Sequence, residues 1–286
     1  MKRKVIYIAG LYHTGSTLLD LLLGNLPNVI GLGEIFKCFH DKFEEQCSCG
    51  KTIENCPFWG EVLSKYDSSF SVDESYELVL ETFNDQYSTD KILVDSSKCH
   101  PFKIFQKKDD RGMQGLNSLI DRPDIDLYVL HLVRDVRSWS NSLNLRDKRY
   151  RSDHTPLENI YMFIFRSTFF RFIQWYVGHK RILQFINKNK LKSLRISYES
   201  LSINPADTLK DCCNFLKIEY DEFSDLSNSK SHIAVGNPMK LRSKDLGKVT
   251  YDMRWLETLS HILPSIILLP IMKFNQKLTY GRKDIK

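Results

Sequence analysis

Lys4-Val5-Ile6-Tyr7-Ile8-Ala9-Gly10-Leu11-Tyr12-His13-Thr14-Gly15-Ser16-Thr17 is the stretch on which the fold turns. From Val5 to Ala9 every side chain is apolar or aromatic, as in a strand buried on both faces. Gly10 and Gly15 bracket a short turn, and residues 17–26 then read as an apolar helix. A strand, a glycine-containing turn and a helix N-terminus together make an anion cradle, because backbone N–H groups and the helix dipole converge on one place. The pattern is one residue away from the nucleotide-binding P-loop G-x-x-x-x-G-K-[ST], with Ser16 in the lysine position. Phosphoryl transfer relies on that lysine and on magnesium to manage charge on the terminal phosphates. The loop therefore suits a phosphate group but argues against an ordinary ATPase or kinase reaction.

Outward from this loop, strand-like runs at residues 29–32, 92–94, 127–133 and 194–197 alternate with helical patterns at 136–144, 157–187 and 205–216. Such alternation predicts a parallel sheet with crossover helices. Asn204-Pro205 predicts a helix start with Asn as N-cap and Pro in the first turn. Residues 109–124 read as a surface loop, and 221–250 as polar and loop-rich. With no internal repeat, the 286 residues are expected to form a single domain over 1–286, with a Cys-containing insertion at 36–60 and a C-terminal helical tail at 257–286.

Hydrophobic residues make up 42% and charged residues 27%, a globular balance that excludes a disordered or collagen-like chain. Lys plus Arg number 41 against 35 for Asp plus Glu, so the net charge is +6. That excess favours a phosphorylated or polyanionic ligand and is too small to indicate nucleic acid. The N-terminus carries no apolar stretch with a small-residue cleavage site, so no signal peptide and a cytoplasmic protein are expected. Residues 259–274 are the most apolar segment, but Pro264 and Pro270 break them and they fall short of the roughly 20 residues of a spanning helix. They are expected to form a buried helix pair, with membrane-surface contact as the alternative.

Of the seven cysteines, Cys38, Cys47, Cys49 and Cys56 cluster in the insertion. Cys47-Ser48-Cys49-Gly50 followed by Cys56 could be a zinc knot with Cys38 or His40 as fourth ligand, yet the spacing matches no standard zinc pattern. A structural staple of reduced thiols without metal is the expectation, a disulfide being the other possibility.

A second motif, His131-Leu132-Val133-Arg134-Asp135-Val136-Arg137-Ser138-Trp139-Ser140-Asn141-Ser142, places Arg134 at the carboxyl end of a buried strand, where open α/β sheets bind ligands. Ser142 lies about two helical turns further on, so guanidinium and hydroxyl can face one phosphate monoester. Phe163, Phe165, Phe169, Phe170, Phe172 and Trp175 read as core, Arg166 and Arg171 as charges on a wet helix face, and His232 as a residue ordering the Gly236-Asn237-Pro238 loop.

These segments, with Ile196-Ser197-Tyr198-Glu199-Ser200-Leu201, closely resemble the sulfotransferases that use 3′-phosphoadenosine 5′-phosphosulfate (PAPS). The Cys-x-Cys-Gly, Asp95-Ser96-Ser97-Lys98 and Gly236-Asn237-Pro238-Met239 segments resemble those of the bacterial and tyrosyl-protein-like branch. The similarity runs from about residue 4 to 256. It implies an α/β fold, a P-loop NTPase-like three-layer sandwich with a central parallel sheet, and transfer of a sulfuryl group from PAPS to an acceptor hydroxyl, with a carbohydrate or glycolipid among the candidate acceptors. PAP is then the product and no metal is required.

By that resemblance Thr14, Gly15, Ser16 and Thr17 hold the 5′-phosphosulfate, Arg134 and Ser142 hold the 3′-phosphate, and Tyr198 reaches the nucleotide from the far side. Arg242 matches a basic residue of a late loop. His13 stands where the family usually carries Lys or Arg, so it is expected either to be protonated or to be helped by another cation. Gly33-Glu34 resembles the Gly-Glu whose glutamate is the catalytic base. The rival base is His100, in Lys98-Cys99-His100-Pro101, and Lys98 would stabilise charge on the leaving phosphate. Two other readings stay open: a nucleoside or nucleotide kinase on a degenerate P-loop, and a non-catalytic PAP-binding protein.

Overall fold

Strand β1 (Arg3–Gly10) sends Val5, Tyr7 and Ala9 to one face and Ile6 and Ile8 to the other, and all five are buried. With side chains alternating at period two, a strand apolar at every position has to be covered on both sides. The computed structural model describes residues 2–40, 46–99, 113–149, 167–220, 230–241 and 249–281. In it β1 is the central strand of a five-stranded, all-parallel sheet with β2 (Val29–Gly31), β3 (Ile92–Asp95), β4 (Ile125–Val133) and β5 (Ser193–Ser197), in the order β2-β3-β1-β4-β5. Val5 lies opposite Leu93 on one side and Leu127 on the other.

The described α-helices are α1 (Ser16–Leu23), α2 (Ile35–His40), α3 (Trp59–Lys65), α4 (Val72–Gln86), α5 (Gln114–Asn117), α6 (Val136–Arg149), α7 (Thr168–Lys188), α8 (Tyr198–Ile203), α9 (Pro205–Leu216), α10 (Ile262–Ile267) and α11 (Leu269–Asn275). One face of the sheet is covered by Trp59, Phe83, Trp139, Phe172 and Trp175 of α3, α4, α6 and α7; the other by the leucines of α1 and by Leu209, Cys212 and Cys213 of α9. The result is the three-layer, P-loop NTPase-like α/β sandwich. The chain leaves β1 for the far edge strand β2, returns to β3, then crosses β1 to β4. The crevice at the carboxyl ends of β1 and β4 is therefore the switch point where such sheets bind ligands.

Several expectations change in the structure. The stretch expected to be a surface loop, residues 109–124, includes α5 among its described residues, with Met113, Leu116 and Leu119 buried against the α4 side of the core. Asn204 stands at the N-cap of α9 with Pro205 in the first turn, but its side chain makes no capping hydrogen bond. Arg171 is not on a wet face: it is 3% exposed and donates to the Ser140 carbonyl at 2.9 Å and to Asp147 at 2.6 Å, tying α7 to α6. Phe172 and Trp175 are core, as read; Phe163, Phe165 and Arg166 lie outside the described residues.

The tail departs most. Pro264 and Ile271 are buried, but Leu259, Leu263, Ile266, Ile267 and Leu269 are each more than half exposed, so α10 and α11 are not a buried pair. Pro264 and Pro270 keep both helices short, and each covers only a narrow stripe. No helix among the described residues is long and apolar enough to cross a membrane. The end of the tail is fastened beside the crevice: Asn275 donates to Asp135 at 2.9 Å and accepts from the Val136 N–H at 3.0 Å, and the Tyr280 hydroxyl donates to Asp135 at 2.9 Å.

Asp20, fully buried on α1, accepts from the Gly33 N–H at 3.2 Å and so links the helix after the cradle to the loop after β2. Burial pushes its carboxyl up to about 7. A carboxyl raised in the folded state adds stability that is full below its unfolded value of 3.8 and is lost as the pH rises through about 7. Asp20→Asn keeps an acceptor and removes the titration. Urea unfolding at a series of pH values should show the variant gaining on the wild type from about pH 4, by up to ~1.4 kcal/mol per pH unit, and levelling off above about pH 7.

Candidate active site

The cradle is built by its glycines. Gly15 has φ +96° and stands at the N-cap of α1, where a Cβ would lie 2.7 Å from the Tyr198 ring. Glycine alone meets both conditions. Thr14 is fully buried beneath the loop, its hydroxyl donating to the Leu11 carbonyl at 2.7 Å, so its side chain braces the turn and does not line the pocket. Ser16 and Thr17 do line it, and Thr17 Oγ1 also accepts from the Asn237 N–H at 3.1 Å.

The cradle opens into a pocket of about 650 Å³ at the carboxyl ends of β1 and β4. Around it stand His13, Gly15, Ser16, Thr17, Glu34, Lys98, Arg134, Ser142 and Tyr198, so that seven of the eight nucleotide-binding residues expected among those described, Thr14 apart, arrive together with Glu34 and Lys98. Arg242 and His100 lie outside the described residues. The wall also holds Tyr12, Lys37, Arg146, Asp252 and Arg254, which sequence reasoning missed. Five Lys and Arg side chains (Lys37, Lys98, Arg134, Arg146, Arg254) face two carboxylates (Glu34, Asp252), which makes the pocket a place for an anion.

Arg134 is positioned by α6 and α7. Its Nε donates to Ser138 Oγ at 2.8 Å, its Nη1 to the His13 carbonyl at 3.1 Å, and its own carbonyl accepts from Trp175 Nε1 at 2.8 Å. The guanidinium lies 4.2 Å from the centre of the Tyr198 ring, a cation–π contact, and its Nη2 pairs with Asp252 at 2.9 Å. Arg254 and Arg134 together hold the Asp252 carboxyl well below the usual carboxylate range. Ser142 reaches His13 Nδ1 at 3.3 Å.

His13 is neutral. Burial, with Arg146, Lys98 and Arg134 nearby, lowers its imidazole to about 4. The expectation of a protonated His13 is therefore set aside; Lys98, Arg134 and Arg146 are the cations nearest to it.

Glu34 is held on every side. Asp20 takes the Gly33 N–H, the carbonyl of Gly33 (φ +81°) accepts from the Ser96 N–H at 2.8 Å, and the Glu34 N–H donates to the Val235 carbonyl at 3.1 Å. Its Oε1 accepts from Lys98 Nζ, while Oε2 is buried with no hydrogen-bond partner among the described residues. Lys98 is aimed by the turn after β3. The Asp95 carboxyl, which burial raises to about 6, accepts from the Ser97 N–H and the Tyr76 hydroxyl, both at 2.7 Å, and the Cys99 N–H donates to the Gly10 carbonyl at 3.0 Å. An acid of β3 thus folds the chain so that the lysine projects between the cradle and Glu34.

Set beside known proteins, the chain is similar in structure to the sulfotransferase domain from the curacin biosynthetic pathway, with TM-score 0.54 and 16% identity over 93% of this chain and 98% of that one. It is also similar to a sulfotransferase from Alicyclobacillus acidocaldarius, with TM-score 0.50 and 15% identity over 99% and 98% of the two chains. At these identities the likeness establishes the fold. No protein-family model matches the sequence, and no curated protein is significantly similar to it.

Gly15→Ala should lower stability by about 1–3 kcal/mol, from a forced left-handed conformation plus the clash with Tyr198. In urea unfolding, the cost of Gly15→Ala should shrink, without vanishing, when it is combined with Tyr198→Ala, because that removes the clash and leaves the backbone strain.

Proposed function

We propose that the protein is a sulfotransferase that moves a sulfuryl group from PAPS to an acceptor hydroxyl. The observation that carries this reading is the arrangement in one cationic pocket of a lysine-less phosphate cradle, an Arg134/Ser142 pair that meets the cradle at His13, and a buried Glu34 next to Lys98 with one carboxylate oxygen unpaired among the described residues. A cradle without the P-loop lysine disfavours the kinase reading, and the structural likeness to two sulfotransferases supports the transferase one.

On this reading the 5′-phosphosulfate lies over the N–H groups of Gly15, Ser16 and Thr17 at the start of α1, where the helix dipole opposes its charge. The 3′-phosphate displaces Asp252 from Arg134 and takes up the Ser142 hydroxyl. The adenosine side of the donor meets Tyr198. The acceptor hydroxyl gives its proton to Glu34 Oε2 as its oxygen attacks sulfur, and the sulfur–oxygen bond to the 5′-phosphate breaks in line. Lys98 then shifts its hydrogen bond from Glu34 to the oxygen that leaves with the phosphate, where negative charge develops. Neutral His13 contributes a hydrogen bond, and Lys98 and Arg146 contribute the charge.

If Arg134 binds the 3′-phosphate, Arg134→Ala weakens binding of PAP by about 1.5–3 kcal/mol in calorimetry and leaves AMP much less affected. Equal losses for both nucleotides would reject the assignment. Glu34→Gln keeps the size and hydrogen bonding of the side chain but cannot take a proton. With labelled PAPS and a panel of hydroxyl acceptors that includes sugars and glycolipids, it should cut turnover about 10²–10⁴-fold while PAP affinity stays near that of the wild type. His100→Ala should cost far less; the reverse ranking would make the histidine the base. A wild-type protein that binds PAP and sulfates no acceptor would instead be a PAP-binding protein.

A further inference from the structure

The cysteine insertion ends in a group of four potential ligands. Cys47 Sγ, Cys49 Sγ, Cys56 Sγ and a ring nitrogen of His232 all lie within 4.8 Å of one another. Cys47 and Cys56 sulfurs are 3.6 Å apart, and Cys56 Sγ is 3.2 Å from His232 Nδ1. A disulfide requires about 2.05 Å between sulfurs. Ligands at about 2.0–2.3 Å from a tetrahedral zinc ion lie roughly 3.3–3.8 Å from each other; the Cys47–Cys56 pair at 3.6 Å falls in that range and the Cys56–His232 pair at 3.2 Å is within about 0.1 Å of it. The fourth member comes from more than 170 residues away in the sequence (232 against 47–56), so the insertion by itself does not contain the full set. Cys38, considered from sequence as the fourth ligand, is not in the group, and the side chain of His40 is not described.

We propose that Cys47, Cys49, Cys56 and His232 bind one structural zinc ion. Three thiolates and a neutral imidazole form a closed Cys₃His set, of the kind that holds zinc without a position left for substrate. On binding, the three thiol protons pass to solvent and Zn²⁺ gains three sulfur bonds and one nitrogen bond, so the site carries a charge of about −1.

The surroundings are already arranged for this. Gly50, at φ +87°, turns the chain between Cys49 and Lys51, and the Cys47 N–H and Gly50 N–H close that turn through the Lys51 and Cys47 carbonyls. The His232 ring stacks on Phe58 with 6.2 Å between centroids, and its carbonyl accepts from Trp59 Nε1 at 2.5 Å. Ser48 binds the same segment twice, donating to the Ser231 carbonyl at 2.8 Å and accepting from the Ile233 N–H at 2.9 Å. Cys47 and Cys56 are buried, while Cys49 and His232 are partly open, which gives an ion a way in.

The site also has a structural task. From His232 the chain runs along the loop after β2: the His232 N–H donates to the Gly31 carbonyl at 2.7 Å, the Val235 carbonyl takes the Glu34 N–H, and the Asn237 N–H reaches Thr17. A zinc ion at His232 would anchor one end of a strip whose other end seats Glu34 and closes over the phosphate cradle.

The test needs no enzymatic activity. Protein made in zinc-supplemented cells and dialysed should hold about one zinc per chain by elemental analysis. After removal of metal under reducing conditions, Co²⁺ should restore the ligand-field and thiolate charge-transfer absorption of a tetrahedral thiolate site. His232→Ala and Cys49→Ser should each lose at least about tenfold in retained zinc, whereas His232→Cys, which restores a four-ligand set, and Cys213→Ser, remote from the site, should retain it. Wild-type protein with less than about a tenth of an equivalent and no cobalt spectrum would overturn the proposal. So would zinc retained equally by His232→Ala, or a Cys47–Cys56 disulfide found by mass spectrometry in the protein as isolated.

Discussion

A central parallel strand buried on both faces is the constraint on which the rest of this structure depends. β1 spends its backbone pairing with β3 and β4 and its side chains filling two cores, so only its carboxyl end is free to meet a ligand. There the chain must turn at once into α1, and the N–H groups at that turn are left without helical partners. Gly10 and Gly15 permit the turn. The adjacent strands then deliver Lys98 from the end of β3, Arg134 from the end of β4 and Tyr198 from the end of β5 to the same crevice.

The electrostatics of that crevice follow from crowding. Burial, reinforced by three nearby cations, keeps His13 neutral, and Arg134 is held by a serine, a carbonyl and a carboxylate in a fixed orientation beside Tyr198. A guanidinium already locked in place loses little conformational freedom when an anion replaces Asp252, which favours phosphate capture. Glu34 and Lys98 face each other in a buried pair, an arrangement whose desolvation cost makes it a weak source of stability and a better sign of chemistry.

The loop after β2 connects three features that lie far apart in the chain. Asp20 fixes Gly33 from α1, Ser96 fixes it from the turn after β3, and the strip from His232 to Asn237 runs beside it to Thr17. Glu34 is therefore rigid although it stands in a loop, and the cysteine insertion reaches the site through a backbone hydrogen-bonded path.

The sequence by itself determined the order and type of the main elements, because β1 and the turn at Gly10–Gly15 obey local rules of strand burial, glycine geometry and helix start. It also marked Arg134 and Ser142, by a strand end and a two-turn spacing, while Tyr198, Glu34 and Lys98 were marked only through the resemblance of their segments to the sulfotransferases. Tertiary structure alone decided what depends on distant groups. Examples are the neutrality of His13, set by burial and by cations from other segments; Asp252 on Arg134; the burial of Arg171; the exposed apolar tail; and the meeting of His232 with three cysteines. Periodicity records which face of an element is apolar, but not which remote side chain will stand opposite it, and charge state, ion pairing and metal-ligand sets are properties of that opposition.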